Sequence, residues 1–236
     1  MKTTRIMIVA VGGQGNILAA RILGEAAAAA GITPRMSEFH GMAQRGGVVE
    51  SMVLLGEGKG YCIADGTADM LLGFEPAETI RAARKCGAHT VVITNTAPLP
   101  PFTVAMRQAQ YPDVPLALNL LAERVKSLIA LDATSLAVKA GSALAVNMVM
   151  LGALAGSGVN PIPVDLFRRV IGEKTKKQFA DMNLLAFESG LRAAASAGGG
   201  TRRAAAGAHP PRRAPHRRRP RVPAVRRAGG ARLPRG

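Results

Sequence analysis

Aromatic residues are scarce in this chain of 236 residues: they make up 3% of it, and tryptophan is absent. Hydrophobic residues nevertheless reach 48%, so the core must be built from alanine, valine, leucine, isoleucine and methionine. A core of this kind favours close layers of helix on sheet and argues against an aromatic platform for stacking nucleic-acid bases. The length allows one domain, or one domain with an extension.

Cysteine is equally sparse, with only Cys62 and Cys86 in the chain. They are 24 residues apart, without a CxxC pair. Structural zinc sites and iron–sulfur clusters are held by four side-chain ligands. Two separate cysteines without a partnering histidine cannot provide such a set, so this chain alone is not expected to form either site. We expect two small buried side chains in a reducing compartment.

Long apolar runs are also missing. The first run, from Ile6 to Val11, has six residues, fewer than the roughly 7–15 of a signal-peptide core. The dense part of the longest uncharged stretch, Ala143 to Ala155, is shorter than the about 20 residues of a membrane-spanning helix. We expect a cytoplasmic protein that does not enter a membrane.

Acidic residues are absent from residue 198 onward, where twelve arginines stand among proline, alanine and glycine. Subtracting these twelve charges from the net +16 leaves +4 for residues 1–197. We therefore predict a folded domain at 1–197 and a disordered tail at 198–236, because the tail has too little to bury. Two interpretations of the tail stay open: a nonspecific contact with phosphate backbones, or an incidental extension from a GC-rich gene translated in a shifted frame. Specific nucleic-acid recognition is not expected.

The order of elements predicts a three-layer α/β domain that resembles a Rossmann fold, with a mostly parallel sheet. RIMIVAV (5–11) is typical of a buried strand, NILAARILGEAAAAA (16–30) of a helix, and residues 33–38 of a second strand, which together form a β-α-β unit. Further strands are expected at 48–56, 89–95 and 128–133, with short extended pieces at 61–65 and 68–75. The second half is mostly helical, at 116–127, 134–141, 143–156, 164–171 and 174–195.

The turn VGGQGN (11–16) joins the first strand to the first helix. Its glycines allow a ligand close to the backbone, and the helix amides can bind an anion. The dinucleotide pattern GxGxxG is incomplete, because position 10 is alanine. Glu38, at the end of the second predicted strand, is where an acid that holds a ribose would stand. Binding of NAD or FAD, binding of another phosphate or cofactor, and tight packing alone all remain open; Gln14 could bind a ligand or cap the loop.

A second segment, EFHGMAQRGG (38–47), places His40, Gln44, Arg45 and three glycines between two predicted strands. Loops that follow parallel strands gather at the carboxyl edge of the sheet, so this loop is expected beside the glycine turn. Arg45 offers a fork for a carboxylate or phosphate, and His40 can donate, accept or titrate. This density of polar groups favours an interface or ligand site over an elaborate connector, whose glycines would serve only the turns.

The paired motifs VGGQGN and EFHGMAQRGG, followed by ADMLLGFEPAE (68–78), resemble the gamma-type subunit of 2-oxoacid:ferredoxin oxidoreductases. The most similar branch is the beta subunit of indolepyruvate ferredoxin oxidoreductase. LAVNMVMLGALAG (144–156) and residues 176–190 support the resemblance, which covers about residues 4–192 and stops before the arginine tail. Ala10 departs from the usual glycine of the family, at little cost because alanine is small.

The resemblance implies a small subunit of an enzyme that converts a 2-oxoacid, coenzyme A and oxidised ferredoxin into an acyl-CoA, CO2 and reduced ferredoxin. It implies thiamine diphosphate, Mg²⁺ and 4Fe-4S clusters in a large alpha partner, and none of these on this chain. The implied active-site edge comprises Gly12, Gly13, Gln14, Gly15, Asn16, Glu38, His40, Gln44, Arg45 and Gly46. No general acid or base is assigned. A free-standing NAD(P)- or flavin-dependent oxidoreductase is the alternative.

Overall fold

A mixed sheet of six strands lies at the centre of the computed structural model, which describes residues 3–41, 47–99 and 111–198. The strands are β1 (Thr4–Val11), β2 (Pro34–His40), β3 (Val48–Leu55), β4 (Ala68–Gly73), β5 (Cys86–Asn95) and β6 (Ser127–Leu131). Their order is β2-β3-β1-β4-β5-β6. Only β3 runs against the others, so the predicted mostly parallel sheet is confirmed.

The antiparallel strand β3 separates the two strands of the predicted β-α-β unit. It pairs with β1 on one side, where Val11 faces Val48, and with β2 on the other, where His40 faces Val49. A short loop can join antiparallel neighbours, whereas parallel neighbours need a crossover. The seven residues 41–47 therefore place β3 directly beside β2, and β2 becomes the edge of the sheet.

Seven helices are present among the described residues, and several begin at side chains that cap them. They are α1 (Asn16–Ala29), α2 (Pro76–Arg81), α3 (Val114–Ala122), α4 (Ala133–Ala140), α5 (Val146–Gly156), α6 (Val164–Lys174) and α7 (Ala180–Gly198). Asp113 accepts from the Leu116 N–H before α3, and Asp132 accepts from the Ser135 N–H before α4. Such caps satisfy backbone donors that have no partner inside the helix.

Helices cover both faces of the sheet, which gives the predicted three layers. On one face, α1 and α4 to α7 pack against alternate residues of the strands, among them Ile8, Leu72 and Ile93. On the other face, Val9 and Leu71 pack with α3 and the short turn of helix at 82–85. The first layer is the thicker one, because it includes the four helices α4 to α7 as well as α1.

Helices α5 and α7 approach each other more closely than side chains permit. A Cβ placed on Gly152 would lie 1.9 Å from the Phe187 carbonyl oxygen, and one placed on Gly190 would lie 1.8 Å from that of Val149. Only glycine allows backbones to meet in this way. The contact holds α5 firmly, and the first turn of α5 reaches the glycine turn after β1.

The segment 61–65, expected as a short extended piece, crosses the face of β2 and β3 without pairing as a strand: the Ser37 hydroxyl donates to the Tyr61 carbonyl, and the Ile63 N–H to the Met52 sulfur. The prediction that both cysteines are buried was wrong. Cys62 on this segment is exposed and not buried, whereas Cys86 is half-buried.

The predicted disordered tail lies outside the described residues, and the boundary at residue 197 stays a prediction. No helix within the described ranges is both long and apolar enough to cross a membrane.

Candidate functional site at the carboxyl edge of the sheet

The glycine turn stands at the carboxyl end of β1, where it opens α1. Gly13 and Gly15 have positive φ angles of 103° and 78°, which favour glycine over other residues. A Cβ on Gly15 would lie 2.5 Å from the Asn147 side-chain nitrogen at the start of α5, whereas one on Gly13 would meet nothing within 4 Å. Gly15 is therefore fixed by packing, and Gly13 faces open space.

The Gln14 side chain turns inward and closes the turn on itself. Its Oε1 accepts a hydrogen bond from the Val11 N–H at 2.8 Å, and its Nε2 donates to the Phe74 carbonyl at 3.0 Å. With 9% exposure, both polar ends are used inside the protein. Of the two roles left open for Gln14, the geometry matches the structural one: it ties the end of β1 to the end of β4.

Two residues that sequence analysis did not single out extend this framework. The Asn95 side chain donates to the same Phe74 carbonyl at 3.1 Å and accepts from the Ala133 N–H at the start of α4. The buried Glu75 caps α2 through the Glu78 N–H and also accepts from the Leu99 N–H. The signal for both was their place at or just after the carboxyl end of a buried strand, Asn95 as the last residue of β5 and Glu75 two residues after β4.

The loop that follows β2 meets the glycine turn at its C-terminal end. The Gly12 N–H donates to the Gly47 carbonyl at 2.8 Å, and the Asn16 side chain donates to the Val49 carbonyl at 2.8 Å. The base of the loop is closed by the Gly41 N–H, which donates to the Val48 carbonyl. Gln44, Arg45 and Gly46, with the roles predicted for them, lie outside the described residues.

Glu38 and His40 are exposed on β2, on the face that carries α1. His40 pairs with Val49, whose carbonyl binds Asn16, so it stands next to the turn. Glu38 pairs with Ser51, which faces Ile8 on β1. Glu38 is therefore about 10 Å before the end of β1, since a strand rises about 3.3 Å per residue. With β3 between them, Glu38 and the turn do not form the arrangement that holds the ribose of a dinucleotide.

Several donors at the turn are left without an acceptor among the described residues. They are the backbone N–H groups of Gly13, Gly15, Asn16 and Ile17 at the start of α1. The Asn16 Oδ1 is buried and also lacks a partner there. Free amides and the positive end of a helix suit a negatively charged or carbonyl-bearing group.

Ionisable groups near this edge are perturbed by burial. Burial is the main cause that raises the pKa of Glu78, with Glu75 and Glu50 adding to the rise and Arg81 opposing it. Burial and the neighbouring Glu75 carboxylate, to which the Tyr111 hydroxyl donates, raise the pKa of Tyr111. Within the described ranges, no three His, Cys, Asp or Glu side chains are grouped to hold a metal ion.

The cysteine of β5 is also affected. Burial raises the pKa of the Cys86 thiol to about 11, against a smaller lowering by a hydrogen bond with Thr90. Its thiol is therefore protonated at neutral pH and is a poor nucleophile, since the thiolate is the reactive form.

The sequence and the fold both match known proteins. A family model described as pyruvate ferredoxin/flavodoxin oxidoreductase matches residues 5–193. A protein of Methanothermobacter thermautotrophicus named indolepyruvate oxidoreductase subunit IorB is 42% identical over 190 residues, which are 80% of this chain and 97% of that one. A protein of the same name from Archaeoglobus fulgidus is 37% identical over 189 residues, 80% of this chain and 94% of that one.

Two solved structures share the fold. The gamma subunit of a keto/oxoacid ferredoxin oxidoreductase from Geobacter sulfurreducens superposes with a TM-score of 0.60 at 22% identity, over 82% of this chain and 99% of that one. A 2-oxoglutarate:ferredoxin oxidoreductase from Magnetococcus marinus, solved with 2-oxoglutarate, coenzyme A and succinyl-CoA, gives a TM-score of 0.64 at 22% identity. The match covers 83% of this chain and 32% of that chain.

These matches confirm the resemblance carried by the paired glycine motifs. The family model spans more than three quarters of the chain, and the curated relatives exceed 35% identity across nearly their whole length. The chain therefore belongs to the pyruvate ferredoxin/flavodoxin oxidoreductase family.

Proposed function

We propose that the chain is the small subunit of an indolepyruvate:ferredoxin oxidoreductase. The observation that carries the proposal is the 42% identity to a subunit named for indolepyruvate oxidoreductase, over 97% of that subunit. The reaction would be oxidative decarboxylation of an aryl 2-oxoacid with coenzyme A, giving an acyl-CoA, CO2 and reduced ferredoxin. Ferredoxin would bind to the assembled complex, in the cytoplasm.

The chemistry assigned to cofactors would belong to the large alpha subunit. Thiamine diphosphate with Mg²⁺ supplies carbanion chemistry, and 4Fe-4S clusters supply electron transfer. A cluster is held by cysteine thiolates, usually four, and this chain has two cysteines in all. The cysteine count therefore supports placing the clusters on the large subunit.

The small subunit would supply a preformed wall to the shared active site. Gly13, Gly15 and Asn16 present free backbone N–H donors on a turn that Gln14 holds in place, and Gly13 leaves space for close approach. Donors fixed before the reaction need no reorganisation when charge develops nearby. His40 and the loop residues Gln44, Arg45 and Gly46 would border the same wall, with coenzyme A or the diphosphate region as the group contacted. Glu38, farther from the turn, would contribute least.

Reconstitution with the large subunit tests the proposal. We expect no activity from the chain alone and no activity from the large subunit alone, and indolepyruvate- and coenzyme A-dependent reduction of a viologen dye when the two are combined. Turnover of a 2-oxoacid by the isolated chain would contradict the proposed function. The proposal would also fail if the two chains co-purify and the combined preparation is inactive. Calorimetric titration with NAD, NADP and FAD is the control, with no heat of binding expected.

A further inference from the structure

The carbonyl of Phe74, directly after β4, accepts hydrogen bonds from two side chains. Gln14 Nε2 donates to it at 3.0 Å from the glycine turn, and Asn95 Nδ2 donates to it at 3.1 Å from the end of β5. The Phe74 N–H donates to the Val9 carbonyl of β1. Because a carbonyl oxygen has two lone pairs, both of its acceptor positions are used, and this peptide group joins the ends of three strands.

The Asn95 side chain is fully buried and is held at both ends of its amide. Its Oδ1 accepts from the Ala97 and Ala133 N–H groups, and its Nδ2 donates to Thr134 Oγ1 as well as to Phe74. Residues 133 and 134 begin α4. Since these bonds reach the loop after β5, the start of α4 and the end of β4 together, they fix the direction from which the amide meets the Phe74 carbonyl.

The other donor to this carbonyl, Gln14, belongs to the glycine turn itself. Its Oε1 accepts from the Val11 N–H at 2.8 Å while its Nε2 reaches Phe74, so one amide spans the ends of β1 and β4. Gly13 and Gly15 flank Gln14 in the chain, and their N–H groups have no acceptor among the described residues. A shift of Gln14 would therefore move the peptide groups that carry these donors.

From these contacts we propose that Asn95 is a positioning residue for the active site of the assembled enzyme. It acts through the Phe74 carbonyl and Gln14, and it sets the orientation of the free N–H groups of the glycine turn. The inference rests on the proposed function, which places that turn at the shared active site. A displacement of about 1 Å in a group that positions a substrate can lower a rate about 100-fold. Asn95 acts at one remove, so its loss should have a smaller effect.

The kinetic test uses the full-length chain reconstituted with the large subunit. Asn95→Ala should lower kcat/KM for coenzyme A about tenfold per assembled complex. The amount of complex is measured by size-exclusion chromatography. A loss of stability alone would reduce the amount of complex and would leave unchanged the rate that each complex supports.

Thr90→Val is the matched control at the opposite end of β5. Thr90 is also fully buried, and its hydroxyl donates to the Ala68 carbonyl at 2.6 Å and accepts from the Gly87 N–H at 2.8 Å. Thr90→Val and Asn95→Ala both remove buried hydrogen bonds made by β5, so both should lower the urea midpoint of the free chain. Only Asn95→Ala should change catalysis, and Thr90→Val should stay within about twofold of the wild type in kcat/KM.

A double variant tests the route through the shared carbonyl. Gln14→Leu and Asn95→Ala break the same connection between the turn and the end of β5. The double variant should therefore lose little more kcat/KM than the more damaged single variant, whereas independent effects would multiply.

Hydrogen exchange of the Val11 N–H, followed by NMR in the free chain, tests the same connection without the partner. Gln14 Oε1 is its acceptor. In Asn95→Ala this N–H should exchange at least about fivefold faster relative to the core N–H of Leu72, which corrects for global opening. In Thr90→Val the ratio of the two rates should match that of the wild type.

Contrary results assign Asn95 a different role. Wild-type kcat/KM in Asn95→Ala, losses equal to those of Thr90→Val, losses that multiply in the double variant, or an unchanged Val11 exchange ratio would each overturn the proposal. Asn95→Ser is the milder substitution if the alanine variant does not fold; if neither folds while Thr90→Val does, Asn95 is structural and the proposal fails. An inactive wild-type complex would instead refute the proposed function, and the inference about catalysis with it, even where exchange shows that Asn95 holds the turn.

Discussion

Gly152→Ala should destabilise the chain although alanine is the better helix former. The new Cβ would stand 1.9 Å from the Phe187 carbonyl oxygen, where ordinary contacts begin near 3.4 Å. Helices α5 and α7 must therefore separate locally by about 1.5 Å, and overpacking of this kind costs roughly 1–3 kcal/mol. The higher helix propensity of alanine offsets about 1 kcal/mol of this cost. Since backbone meets backbone and no side chain can move aside, the overpacking cost should lie in the upper part of its range, at about 2–3 kcal/mol, which leaves a net loss of stability of about 1–2 kcal/mol.

Gly172→Ala is the matched control for this prediction. Gly172 lies within α6, and a Cβ there would meet nothing within 4 Å, so alanine should stabilise by about 0.5–1 kcal/mol through helix propensity. Urea denaturation followed by circular dichroism measures both variants. For a domain of this size the melting temperature should fall by roughly 2–8 °C in the first variant and rise in the second. A Gly152→Ala midpoint at or above that of the wild type would refute the argument from helix contact.

Three further substitutions test the carboxyl edge, each by urea denaturation of the free chain. Gln14→Leu should lower the free energy of unfolding by about 1–3 kcal/mol, because the buried Val11 N–H is left without its acceptor. An unchanged urea midpoint would show that water replaces the amide. Gly15→Ala should lower the free energy of unfolding by about 2 kcal/mol or more, because of its positive φ and its contact with Asn147. The loss should be smaller in an Asn147→Ala background, and equal losses in the two backgrounds would exclude the contact as a cause. Because the pKa of Glu78 is raised in the folded chain, ionisation costs stability as pH rises through it. Glu78→Gln should therefore match the wild type near pH 4 and exceed it at pH 7.5, and a constant difference would show that this carboxyl does not titrate abnormally.

Local pattern was enough to predict most of the elements. The strand predicted at 5–11 is Thr4–Val11, and the helix predicted at 16–30 is Asn16–Ala29. Both have a glycine at their boundary and a nearly uniform apolar content, so local preference and tertiary packing agree there. The helix predicted from 174 instead begins at Ala180, after a short turn of helix at 177–179.

What sequence could not provide was the pairing of strands. The apolar run at 48–56 is compatible with either strand direction, and its antiparallel pairing with both β1 and β2 was not predicted. The inward turn of the Gln14 side chain also depends on Phe74, sixty residues away. The roles of Asn95 and Glu75 likewise come from contacts between the ends of different strands, which have no local signature beyond a polar residue after an apolar run.

In the hairpin of β2 and β3, the pairing of the two strands does not depend on the composition of the loop between them. The ladder of the hairpin runs from Pro34 opposite Leu55 to His40 opposite Val49, so the two strands pair over their described length. A loop anchored in this manner can be lengthened, shortened or exchanged with that of a relative while the glycine turn keeps its place, since insertions in surface loops cost little closure entropy. Exchanging this loop with that of a family member, while β2, β3 and the glycine turn are kept, would therefore test whether the loop contributes to what the proposed active site accepts.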